Sequence, residues 1–208
     1  MAQAKRRRVL LIVLLAVGIP LGVVVLLAVL GGVFVLSGKP QPVTAADRAV
    51  VVTIQDLARH MHDFEPVASG ETFKKTRYLD GSHQLEYEYK SPREPPLYLR
   101  SSLSVEHSAN DAVTNYGGMR IGAKVGFALS GKDKITQVDR DDLLRWGDDS
   151  HCTLLQSGGK PVGNLFVARK GERVVSVILA GVYFEKPAAF QELMLPILGR
   201  ALTYNPAR

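Results

Sequence analysis

An α+β fold carried behind one membrane-spanning helix is what this chain of 208 residues predicts. Three observations predict it. An uncharged run of 28 residues, Val9 to Leu36, follows directly on Lys5, Arg6, Arg7 and Arg8. "QLEYEYK" and "LYLRSSLSVE" alternate apolar and polar residues with period two, as strands with one wet face do. Towards the C-terminus, strands apolar on both faces precede a helix apolar on one side. A largely antiparallel sheet covered by helices, an α/β/α sandwich, accommodates the last two.

The uncharged run defines the first boundaries. As a helix rising 1.5 Å per residue it spans roughly 42 Å, against a hydrocarbon core of about 30 Å. A secretory signal has an apolar region of only about 7–15 residues. A cleavage site is available after Ala45, with small residues at Val43 and Ala45. It lies well past the run, behind Pro40 and Pro42, so the reading is a permanent anchor. The four cations put the N-terminus in the cytoplasm and the remainder outside it. The organisation is a basic tail over 1–8, a membrane helix over 9–36, a linker over 37–44 and an extracytoplasmic domain over 45–208. Within the helix, Gly18 and Gly22 have the G-x-x-x-G spacing that lets two helices pack into a homodimer. Glycine is also common in membrane helices, and Pro20 separates the pair.

Charge bears on partners. The net charge of +6 comes largely from the tail and linker, because 21 of the 26 basic residues and all 20 acidic ones lie from Ala45 onwards. A nearly neutral domain lacks the electrostatic footprint of a nucleic-acid binder. Cys152 is the single cysteine, so no internal disulfide forms, and a domain of this size can fold without one.

The elements of the domain follow in order. "SGKPQPV" is an extended linker, set by Pro40 and Pro42. Thr44 with Asp47, and Thr53 with Asp56, each form a capping-box pattern, giving one helix or two short ones over about 45–63. The two alternating strands come next, joined through "SPREPP". In "SANDAVTNY", Ser108 caps a helix along one face of which lie Ala109, Ala112, Val113 and Tyr116. "GGMRIGAKVGFALSG" is ambiguous. Met119 to Leu129 alternate as a strand, while Gly118, Gly122 and Gly126 recur as on one helix side; the alternation favours a strand. "HCTLLQ", "VGNLFVARK" and "RVVSVILAGVY" read as strands separated by turn-like "SGGKP" and "GE". Pro187 opens the final helix, which turns Phe190, Leu193, Met194, Ile197 and Ala201 inward, and Pro196 should kink or weaken it.

The succession "SANDAVTNY", "WGDDS", "GNLFVARKGERVVSVILAG" and "FQELMLPILGRAL" resembles the helix, Gly-Asp turn, hairpin and closing helix of Mog1/PsbP-like domains. The resemblance implies an exported or membrane-attached accessory protein and brings no catalytic motif with it.

Candidate chemistry is sparse. "GFALSGKD" matches the phosphate-binding G-x-x-x-x-G-K pattern, but Asp133 replaces the hydroxyl that would hold magnesium. "HMHD", with His60, His62, Asp63 and Glu65, places its histidines two apart, which no helix face brings together. "DRDD", Asp139 to Asp142, has Leu144 where a calcium loop needs glycine. "RWGDDSHC" gathers Trp146, Asp148, Asp149, His151 and Cys152. If Cys152 opens a strand, His151 and the thiol point to opposite faces and cannot form a nucleophile pair. The reading is therefore a turn whose Trp146, Asp148, Asp149 and His151 are the candidate partner-binding residues. No catalytic residue, metal or cofactor is expected. The expected function is a non-catalytic binding or scaffolding module of the cell envelope, held in the bilayer through residues 9–36 with a protein partner. The alternatives are an extracytoplasmic hydrolase around Asp148, Asp149 and His151, or a small-ligand carrier.

Overall fold

The computed structural model describes residues 38–61, 64–91, 96–129 and 135–206, with side chains throughout except at 123–129. The expected membrane helix over 9–36, with Gly18 and Gly22, lies outside them. No helix among the described residues is long and apolar enough to cross a membrane. The chain divides into two units, Met1–Lys39 and Pro40–Arg208, and the second holds the α+β domain.

Its elements are β1 (Lys39–Gln41), α1 (Ala45–Arg48), α2 (Ile54–Ala58), β2 (Glu71–Arg77), β3 (His83–Lys90), β4 (Tyr98–Val105), α3 (Ala109–Leu129), β5 (Ile135–Asp139), β6 (Asp149–Ser157), β7 (Lys160–Lys170), β8 (Arg173–Ala180) and α4 (Pro187–Thr203). The strands form one sheet in the order β1-β2-β3-β4-β8-β7-β6-β5. Pairings from β2 through to β5 are antiparallel, and the seam joins β4 to β8 with Leu99 opposite Leu179. The sheet is thus two meanders joined at their inner strands. The long crossover from β4 by way of α3 is what brings β8 beside β4.

Alternation along the central strands splits the core between the two faces. Tyr87, Leu99, Phe166 and Val177 meet Ile54, Leu57, Phe190, Met194 and Ile197 on the face covered by α2 and α4. Leu155, Leu165, Val167 and Val174 meet Ala112 and Tyr116 of α3 on the other. β7 and β8 are buried on both sides, as their continuous apolar runs require.

Both capping boxes form. Thr44 and Thr53 accept hydrogen bonds from the backbone of Asp47 and Asp56, whose carboxylates accept from the threonine N–H groups in return. Each box opens its own short helix, and Val50, Val51 and Val52 are buried in the bend between them. α4 runs without interruption through Pro196.

The strand expected over 119–129 is corrected: these residues continue α3 to Leu129. A Cβ added at Gly117, Gly118 or Gly122 would touch nothing, so these glycines face open space. They lower helix propensity without serving a close contact, and packing of α3 against β5, β7 and β8 overrides that cost. Strands β2 and β5 carry too little apolar alternation to be read from sequence. In β2 the inward residue is Lys75, buried because its Nζ lies 3.1 Å from Asp47 Oδ1. A cation in a core position erases the period-two signal.

Candidate functional site

The turn Arg145–Asp149 is shaped by Gly147, whose φ is 78°. A Cβ there would also lie 2.2 Å from the Arg169 carbonyl oxygen. Only glycine meets both constraints. The Asp148 N–H donates to that carbonyl at 2.8 Å. Arg169 then holds both candidate carboxylates, donating from Nη1 to Asp148 Oδ2 at 3.1 Å and from Nη2 to Asp149 Oδ2 at 2.7 Å. Asp148 Oδ2 also accepts the Gly171 N–H at 2.8 Å. These two aspartates fasten the turn to the β7–β8 hairpin, and Trp146 packs half-buried against the main core.

His151 and Cys152 do point to opposite faces. Cys152 is fully buried on the α2/α4 side. Burial, with the charges of Asp141 and Asp142, pushes its thiol up to about 12. We expect no reaction with an aromatic disulfide reagent in the native protein and full reaction after denaturation, read from released thiolate absorbance. Rapid native labelling would show that the strand opens locally.

His151 belongs instead to a polar layer between α3 and the β5–β6 end of the sheet. It is 5% exposed and stands opposite Val167. Thr153, two residues on along the same face, is fully buried opposite Leu165 on one side and Asp139 on the other. His151 Nδ1 lies 3.3 Å from Asp141 Oδ1, and Nε2 lies 3.7 Å from Asp139 Oδ1, beyond hydrogen-bonding range. Asp141 Oδ1 also accepts the Cys152 N–H at 2.8 Å, which fixes the carboxylate beside the ring. From above, Tyr116 of α3 packs with Leu155, Leu165 and Val167. One turn further along, the Arg120 guanidinium sits 5.9 Å from the Tyr116 ring centre. Burial raises the Tyr116 hydroxyl above its ordinary value against the opposing charge of Arg120.

The chemistry of this layer is that of unmet hydrogen-bonding capacity. Arg120 Nε, His151 Nε2 and Thr153 Oγ1 are buried without a hydrogen-bond partner among the described residues. Such atoms are rare in native proteins because each costs about 1–3 kcal/mol, more where charged. The Thr153 hydroxyl makes no hydrogen bond to His151, so no nucleophile–base relay exists there. No group of three or more His, Cys, Asp or Glu side chains among the described residues could hold a metal ion.

The remaining candidates lie apart. His60 packs edge-on against Phe184, 6.2 Å between ring centres, and borders a shallow groove between α2 and α4 lined also by Arg59, Glu192, Pro196 and Arg200. Glu65 is exposed, while His62 and Asp63 lie outside the described residues. In "GFALSGKD", Gly126 to Leu129 belong to α3, so a helix leads into the segment where a phosphate loop needs a strand; residues 130–133 lie outside the described set. Sequence reasoning missed Arg120 and Thr153. The available signal was the alternation of His151, Thr153 and Leu155, which sets two polar residues on an otherwise apolar strand face.

No family model matches this chain, and no curated protein matches it. Among solved structures it is similar to the extracellular domain of PknH from Mycobacterium tuberculosis, with 12% identity over 81% of this chain and 86% of that one at a TM-score of 0.40.

Proposed function

We propose that this chain is a single-pass envelope protein whose exported α+β domain binds a partner or ligand and catalyses no reaction. One observation carries the binding half: the polar layer of Arg120, His151 and Thr153, whose buried atoms lack hydrogen-bond partners among the described residues. The carboxylates on which a hydrolase would draw, Asp148 and Asp149, are engaged by Arg169, and His151 is buried away from the Cys152 thiol. The anchoring half rests on the uncharged Val9–Leu36 run behind four cations. Kinship with Mog1/PsbP-like accessory domains is part of the same proposal. It rests on the order of α3, the Gly147 turn, the β7–β8 hairpin and α4.

The test uses the full chain with a C-terminal tag. External protease added to intact cells should remove the tag, and deletion of residues 1–43 should release a soluble domain with an unchanged far-UV spectrum. A protected tag, or mature protein beginning near residue 46, would sink the anchored topology. Turnover of ester, peptide or glycan substrates that is lost in Asp149→Asn and His151→Gln would favour the hydrolase.

A further inference from the structure

The orphaned atoms specify more than a generic binder. Arg120 Nε can only donate, and it has no hydrogen-bond partner among the described residues. Thr153 Oγ1 and His151 Nε2 face the same interlayer. His151 and Thr153 share the strand face of Leu155, and Arg120 follows one turn after Tyr116, which packs on that face. A cation would be repelled by Arg120. An apolar group would leave all three atoms unmet. An acceptor-rich ligand satisfies them together.

We infer that the interlayer between α3 and β5–β6 binds a small oxyanion, a carboxylate or phosphate group, through Arg120 Nε–H, Thr153 Oγ–H and the Nε2–H of protonated His151. This rests on the reading of the domain as a binding module and names the class of ligand. The charged groups beside His151 are Asp139 and Asp141 from β5 and the loop after it, while α3, packed on the same strand face, carries Tyr116 with Arg120 over its ring. Arg169 on β7 is already neutralised by Asp148 and Asp149. With Asp141 Oδ1 3.3 Å from Nδ1 and an anion at Nε2, both ring nitrogens donate, so the ligand-bound ring carries a proton on each. Asp139, with its side chain 74% exposed, has room to turn towards solvent when an anion arrives. A neutral His151 would face the anion with two aspartates and a single arginine. Affinity therefore rises as pH falls.

The full chain in mild detergent is titrated calorimetrically with sodium phosphate and, separately, with sodium acetate, at about pH 5.5 and about pH 7.5. At least one probe should bind more tightly at the lower pH, with a heat that changes with buffer ionisation enthalpy. The tighter probe identifies the source of the oxyanion. Thr153→Val, which keeps the side-chain shape, and Arg120→Gln should each weaken binding by about tenfold or more. An unchanged thermal midpoint for Thr153→Val separates loss of a contact from loss of the fold. Heats of dilution alone for both probes would mean that ordered water fills the layer, and would overturn the inference. Binding undiminished in both variants would overturn it too. Either result leaves the binding-module reading standing if the exported topology holds and no turnover appears; the protease and turnover assays test that reading separately.

Discussion

Asp47→Ala should be among the most destabilising single substitutions in the domain, lowering unfolding free energy by about 3–5 kcal/mol in urea titration. The Asp47 carboxylate is 1% exposed. It takes Lys75 Nζ at 3.1 and 3.3 Å, the Tyr204 hydroxyl, and the Thr44 N–H and hydroxyl at 2.7 and 2.9 Å. Removing it leaves Lys75 as a buried cation with no counter-charge, and cuts the ties of α1 to β2 and to the segment after α4. The pH dependence follows from the same contacts. Burial pushes the Asp47 carboxyl up, but hydrogen bonds from Tyr204, Thr44 and Lys75 together outweigh it and hold the group below its ordinary range. A carboxyl depressed in the folded state contributes stability that is present above its unfolded value, about pH 4, and lost as pH falls through the folded value. Asp47→Asn should accordingly lower stability at neutral pH and flatten the acid limb of the stability curve. An acid limb identical to that of the parent protein would refute this account.

Phe190→Ala is the second large effect, expected at about 3–5 kcal/mol and a fall in melting temperature on the order of 10 °C. Phe190 is fully buried where α4 meets the sheet. Its ring lies 6.0 Å from that of Phe166 at an interplanar angle of 75°, and 5.7 Å from that of Phe184. Truncation opens a cavity at a three-ring junction joining helix, central strand and the loop between β8 and α4. The neighbouring rings are anchored on separate elements and cannot close it by small shifts. Phe190→Leu should recover most of the loss, whereas equal losses for both variants would mean that ring geometry outweighs cavity volume.

Legibility of the sequence depended on whether a residue's role was local. The capping threonines were readable because Thr44 and Thr53 bond to residues three positions on. The strands β3, β4, β7 and β8 were readable because an apolar face repeats every two residues. The opposition of His151 and Cys152 followed from the pleat alone. By contrast, β2 was hidden by Lys75, which is acceptable in the core only because Asp47 waits 28 positions earlier. Residues 119–129 were misread because alternating apolar residues in a glycine-rich stretch carry a strand signal, while the helix is held by contacts with β5, β7 and β8.

The candidate site divides along the same line. Trp146, Asp148, Asp149 and His151 are neighbours in sequence, and that proximity suggested one exposed turn. The tertiary structure distributes them: the aspartates to Arg169, Trp146 to the core, and His151 to a layer shared with Arg120 and Thr153. By itself the sequence determined the α+β class, the paired caps and the strand faces. Each of these depends on residues a few positions apart. Only the tertiary structure decided which polar side chains are satisfied and which are left buried without partners, because a hydrogen bond between elements depends on distances that chain spacing does not encode.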